Sequence, residues 1–291
     1  MDLKSYIETK KPIFLDGGMG TQLIEKGIHP GGEPNITCPE VIRDIHRGYL
    51  QAGSDIITTN TFILNRIYLE THNIDVDVTK ANRAGVNIAK SVCKEGSYVL
   101  GDIGLTGQLL EPYGTYTEEQ FYNTFREQAE IMTEGGVDGF IIETQSDLRE
   151  TLCALRACKS VSELPVIVSF TFSKNPRGFV TIMGNFLKDC VEEAVNEGAD
   201  VVGANCGELD PFEMAEVVAA IKQISKVPII IQPNAGKPKL VDNKTIYDMS
   251  PETFTEGIKK CIEAGASLVG GCCGTTPEHI SQVQKSVIRG Q

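Results

Sequence analysis

The chain has 291 residues, 41% of them hydrophobic and 23% charged, and no stretch approaches the roughly 20 consecutive apolar residues that a membrane span requires. Its 39 acidic and 27 basic side chains leave a net charge of −12, which argues against a nucleic-acid partner because phosphate binding relies on clustered Lys and Arg. The opening MDLKSYIETKKPIFLDGG lacks a basic segment followed by an apolar run and a cleavage site, so the cytoplasm is the expected compartment.

Eight apolar, β-branched runs recur with helical segments between them, the pattern of parallel strands joined by crossover helices. In chain order they begin near Ile13 (IFLDGG), Asp55 (DIITTNTF), Tyr98 (YVLGDIG), Asp138 (DGFIIET), Pro165 (PVIVSFT), Asp200 (DVVGANC), Pro228 (PIIIQPN) and Ser267 (SLVGGCC). Four of them follow the same stop signal, in QAGSDII, TEGGVDGF, NEGADVV and EAGASLV, where glycine suits a left-handed helix C-cap and the chain turns into the next strand within a few residues. An open doubly wound sheet uses the same elements, but no Gly-x-Gly-x-x-Gly turn opens a first βα unit; Asp16-Gly17-Gly18-Met19-Gly20 has the wrong spacing. No linker or shift in composition divides the chain. The expected architecture is therefore α/β, a (β/α)8 TIM barrel in one domain over residues 1–291, a fold that takes about 250 residues.

Barrels carry their chemistry where strands end. Here those ends hold Asp16, Asn60, Thr61, Asp102, Glu143, Thr144, Asn205, Cys206, Gln232, Asn234, Cys272 and Cys273. Cys206 follows the sixth strand and the pair Cys272-Cys273 follows the eighth, so in a closed barrel three thiols meet over one mouth. Adjacent cysteines are strained as a disulfide, whereas flanking glycines let both ligate one metal. Three sulfur ligands with a position left open describe a catalytic rather than a structural zinc site. Zinc strips the proton from a coordinated thiol, and three protein thiolates make the site formally −1, which suits thiol alkylation better than water activation. Of the other cysteines, Cys153, Cys158, Cys190 and Cys261 lie in helical pattern, Cys93 near a helix end and Cys38 in a loop; none is assigned a role.

The segments LDGGMGTQL (15–23), HRGYLQAGSDIITTNTF (46–62), GDIGLTGQLLEPYG (101–114), GVDGFIIET (136–144), GANC (203–206), QPNAGKP (232–238) and GGCCGTTPEHI (270–280) resemble the homocysteine S-methyltransferases, in particular the homocysteine-binding barrel of cobalamin-dependent methionine synthase. By this resemblance Cys206, Cys272 and Cys273 hold zinc and zinc takes the homocysteine sulfur. Asp16 and Glu143 receive the ammonium group, backbone amides of Gly17, Gly18, Met19 and Gly20 hold the carboxylate, Asn205 belongs to the substrate-binding set, and Asn234 approaches the metal when no thiol is bound. The chain departs from the family pattern at Glu208, a carboxylate two residues from a ligand, and in the apolar stretch Arg177 to Gly184. No folate or cobalamin segment follows the barrel, so the expected donor is methylcobalamin on a separate corrinoid protein that docks against an open zinc face rimmed by Phe179 to Met183. Betaine is disfavoured, because quaternary ammonium groups are enclosed by aromatic faces, best by tryptophan, and the chain has none. Two other roles fit the same residues: a component passing methyl groups from a small molecule to a corrinoid protein, and a non-catalytic zinc or thiol-sensing barrel.

Overall fold

Each of the eight apolar runs forms a short parallel strand in the computed structural model, which describes residues 1–9, 12–242 and 244–289. They are β1 (Ile13–Phe14), β2 (Ile56–Thr58), β3 (Tyr98–Ile103), β4 (Gly139–Gln145), β5 (Val166–Phe170), β6 (Val201–Asn205), β7 (Ile229–Gln232) and β8 (Leu268–Val269). Every strand pairs in parallel with its sequence neighbour, and β1 pairs with β8. A parallel bridge between Leu15 and Ile56, with the Asp55 amide donating to the Phe14 carbonyl at 2.7 Å, joins β1 to β2 and closes the barrel. Two small hairpins interrupt the pattern, Ser173–Asn175 with Gly178–Val180 after β5, and Lys239–Val241 with Lys244–Ile246 after β7. Among the described residues no helix is long and apolar enough to cross a membrane.

The repeated stop signal has a physical role at the strand starts. Gly53, Gly136, Gly198 and Gly265 all have positive φ, as a left-handed turn after a helix requires. The aspartate that follows three of them bonds back to the preceding strand. The Asp55 carboxylate accepts from the Phe14 amide at 2.8 Å, Asp138 from Val99 at 2.7 Å and Asp200 from Val166 at 2.9 Å. Ser267 keeps the turn without the carboxylate, its amide donating to the Ile229 carbonyl.

Inward-facing residues alternate along each strand, and the lower layers of the barrel are apolar: Ile13, Leu15, Ile56, Leu100, Ile141, Ile167, Val201, Ile230 and Leu268 form one buried cluster. The helix Leu3–Ile7 seals the N-terminal mouth by adding Leu3 and Ile7 to that cluster, and Lys4 pairs with Asp200 at 3.2 Å. Two residues further along the strands the interior turns polar. Ile56 gives way to Thr58, Leu100 to Asp102, Ile141 to Glu143, Ile167 to Ser169 and Ile230 to Gln232, while β6 reaches Asn205. Polarity therefore begins in one layer, immediately beneath the C-terminal mouth.

Candidate active site

A cavity of about 680 Å3 opens at this mouth. Its walls include Asp16 and Gly17 to Gly20 from the end of β1, Thr58 from β2, Asp102 from β3, Glu143 from β4, Gln232 from β7, and Cys206, Cys272 and Cys273. Among the described residues that line it there is no lysine or arginine, and the basic side chains are the imidazoles of His29 and His72.

The three thiols meet as the strand order requires. The Sγ atoms of Cys206, Cys272 and Cys273 all lie within 4.8 Å of one another, a bound that admits the spacing of about 3.8 Å expected for thiolates around one tetrahedral zinc. The residues present therefore fit that metal. Hydrogen bonds from the Cys206 and Cys272 thiols, joined by the Tyr247 hydroxyl, pull the Cys273 thiol down from its ordinary range. The Cys272 thiol is driven up by its hydrogen bonds to Cys206 and Cys273 and by burial. Cys206 adopts a φ of +57°, in the left-handed region, which turns its side chain off the end of β6. The double-cysteine loop is pinned from both flanks. The Gly271 amide donates to the Asp16 carbonyl at 3.0 Å, the Cys272 amide to the Pro233 carbonyl at 2.9 Å, and Thr275 Oγ1 to the Cys272 carbonyl at 2.6 Å. A Cβ on Gly18 would stand 2.7 Å from the Cys272 carbonyl oxygen, so only glycine lets the first turn approach the metal loop this closely.

Asp16 and Glu143 share the cavity. Asp16 accepts from the Thr58 amide at 2.8 Å, and burial still pushes its carboxyl up to about 7. Burial likewise raises Glu143 to about 8, helped by the nearby charges of Asp16 and Cys273. A β-bulge aims Glu143: the register between β4 and β5 slips between Ile142 and Gln145, and Thr144 sits at φ +57°, an unusual conformation for a β-branched residue. Asn205 fixes this bulge. Its Oδ1 accepts from the Thr144 amide at 2.9 Å and Ser169 Oγ at 2.7 Å, and its Nδ2 donates to Thr144 Oγ1 at 2.8 Å and Glu143 Oε2 at 3.3 Å.

Asn205 and Asn234 are buried behind the cavity wall rather than lining it. Asn234 accepts from the Cys273 amide at 3.0 Å and donates to the Gly207 carbonyl at 2.8 Å, tying the two cysteine loops together. In the glycine turn the Gly18 amide is already committed to Thr275 Oγ1 at 3.0 Å, while the helix Met19–Glu25 starts beside it without a side-chain cap. Glu208 is exposed to solvent. Cys153, Cys158, Cys190 and Cys261 are buried in helices, and Cys38 and Cys93 stand at helix ends. Two site residues escaped the sequence reading. Tyr247 stands beside Cys273, and nothing local in IYDMS signals this. Asp102 stood among the polar strand ends without a role, and its position two residues after inward-facing Leu100 was the available clue.

The chain matches the homocysteine S-methyltransferase family over residues 13–287. It belongs to that family. Among its curated relatives are the methionine synthases of Mycobacterium leprae (strain TN), 32% identical over 295 residues, and of Mycobacterium tuberculosis (strain ATCC 25618 / H37Rv), 32% identical over 293 residues. Each alignment covers 94% of this chain but 24% of the relative, so the family member described here spans about a quarter of their length. The metallated form of the homocysteine methyltransferase MmuM from Escherichia coli superposes with a TM-score of 0.81 at 20% identity, covering 98% of this chain and 99% of that one, which shows that the two share a fold. Family membership makes the chain an S-methyltransferase by class.

Proposed function

We propose that this barrel methylates the sulfur of homocysteine to give methionine, using zinc held by Cys206, Cys272 and Cys273 and a methyl group brought by a corrinoid on a separate protein. The observation that carries this reading is the sharing of one cavity by three converging thiols and a set of carboxylates, with no lysine or arginine among the described lining residues. That pairing calls for a molecule with a thiol at one end and a cation at the other. Zinc would supply Lewis acidity, keeping the substrate sulfur deprotonated at neutral pH while the excess charge of three protein thiolates keeps it electron-rich. Asp16 and Glu143 would receive the ammonium group, Asn205 holding Glu143 in place. Backbone amides of the Gly17 to Gly20 turn would receive the carboxylate, those of Met19 and Gly20 being at an uncapped helix start. Asn234 would act on the metal loops through their backbones, and its approach to the metal in the absence of thiol would require it to release the Cys273 amide. Reduced, closely spaced thiols suit a reducing compartment, as expected of the cytoplasm. Residues 1–291 would work as one barrel module.

The corrinoid donor is favoured by the surface around the mouth. Large apolar side chains remain exposed there on three successive odd-numbered strand loops: Leu109 and Tyr113 after β3, Ile182 and Met183 after β5, Leu240 and Ile246 after β7. A rim of this kind suits a docking protein better than a small soluble donor. The test is to supply the zinc-loaded protein with homocysteine and, in parallel, free methylcobalamin, a methylated corrinoid protein, betaine and S-adenosylmethionine. Methionine should form with the corrinoid forms. Efficient turnover with betaine or S-adenosylmethionine, and none with either corrinoid form, would refute the donor assignment.

A further inference from the structure

The polar layer beneath the mouth contains more acceptors than the assigned roles use. Thr58, Ser169 and Asn205 in that layer are satisfied by protein partners. Asp102 and Gln232 are not. Both are buried, at 5% and 3% exposure, both line the cavity, and among the described residues no protein group donates to Asp102 Oδ1 or Gln232 Oε1. Asp102 is held firmly by its main chain, whose amide donates to Thr59 Oγ1 at 3.0 Å and whose carbonyl accepts from Thr61 Oγ1 at 2.7 Å. Register fixes its height. Asp102 pairs with Ile141, two residues before Glu143 on the neighbouring strand, and its side chain lines the same cavity as Asp16 and Glu143.

A buried carboxylate oxygen without a donor is expensive unless a ligand completes it, and the walls offer no lysine or arginine to do so. An alkylammonium brings three N–H donors. Those donors point in three different directions, and if Asp16 on β1 and Glu143 on β4 take one each, the third is left for another acceptor of the cavity.

We propose that Asp102 is a specificity-determining residue of this cavity, taking the third N–H of the substrate's ammonium group and making the site selective for amino thiols over thiols that lack the amine. This rests on the amino-thiol reading above. Gln232 Oε1, also without a protein donor, lines the same cavity.

The test compares binding of L-homocysteine and 4-mercaptobutyrate, which lacks the amine, to the zinc-loaded full chain by calorimetry, with zinc content measured on the same samples. The wild type should prefer homocysteine. Asp102→Asn should weaken homocysteine about tenfold, the scale of one charge-assisted hydrogen bond, and leave 4-mercaptobutyrate unchanged. Asp102→Ser, smaller and uncharged, should narrow the preference in the same way and guards against a misfolded asparagine variant. A preference retained in both variants overturns the role of Asp102 while leaving the amino-thiol pocket standing. Equal weakening of both thiols also overturns it, since Asp102 would then support the metal or the fold. A wild type that does not distinguish the two thiols rejects the amino-thiol reading and this inference with it.

Discussion

Replacing Asn205 with alanine should destabilise the zinc-free protein by about 3 kcal/mol, because one side chain holds four groups of the site together. The four hydrogen bonds run to the Thr144 amide, Ser169 Oγ, Thr144 Oγ1 and Glu143 Oε2. Each contributes about 1 kcal/mol net, and the two that face the cavity count for roughly half because water can replace the lost partner. The two on Oδ1 lie behind the wall, where the Thr144 amide and Ser169 hydroxyl would be left without an acceptor. The amide matters most, since it secures a β-branched residue at φ +57° that has little reason to stay there unaided. Urea unfolding in the presence of a chelator, followed by circular dichroism, measures the effect. The midpoint should fall with an unchanged slope. A loss below about 1 kcal/mol would show that the bulge holds itself and would refute the account of Asn205 as its anchor.

Three other outcomes are expected. Cys272→Ala should abolish stable zinc retention, because two thiolates cannot complete the site; full zinc occupancy by metal analysis would remove Cys272 from the ligand set. Glu143→Gln should keep zinc and raise the homocysteine Kd about tenfold or more, the scale of a hydrogen bond to a charged group, and an unchanged Kd would dissociate Glu143 from the ammonium. Glu150 accepts from the Thr106 amide at 2.6 Å and Thr106 Oγ1 at 2.8 Å, yet burial pushes its carboxyl up to about 7 from an ordinary 4.5. For an acid with a raised folded pKa, the stabilisation present below pH 4.5 is lost as pH rises through 7, here about 3 kcal/mol. Glu150→Gln, which can accept both bonds, should match the wild type near pH 4.5 and exceed it at pH 8; equal stability at both pH values would contradict the burial argument.

The barrel was readable because its signals are local. A β-branched run says strand, Ala-Gly or Glu-Gly before four of the runs says helix stop, and eight strands in this pattern leave few ways to pack. The start of every strand falls within one residue of the position read from the sequence. The convergence of Cys206 with Cys272 and Cys273 followed from the same reasoning, since only β7 separates their strands. What stayed hidden depends on side chains meeting across long sequence distances. Asn205 belongs to the expected substrate set and Asn234 to the expected surroundings of the metal, while both brace loops here, and pattern alone does not show that a strand-end asparagine does so. The left-handed turns at Thr144 and Cys206 leave no mark either, because neither residue is one that favours that conformation. Tyr247 reaches Cys273 only because the segment after the second hairpin folds back over Gly274.

The short helix Leu3–Ile7 makes the barrel a cul-de-sac. With Leu3 and Ile7 filling the far mouth and apolar layers above them, traffic through the interior is closed, and everything that reaches the cysteines enters and leaves by one door. If, as proposed, a bulky methyl carrier docks on that door, it would shut it. The thiol would then have to be inside before the carrier arrives, and the methylated product would wait for the carrier to leave. The closed far end would thus impose an order of events on the chemistry, turning random encounters into a queue.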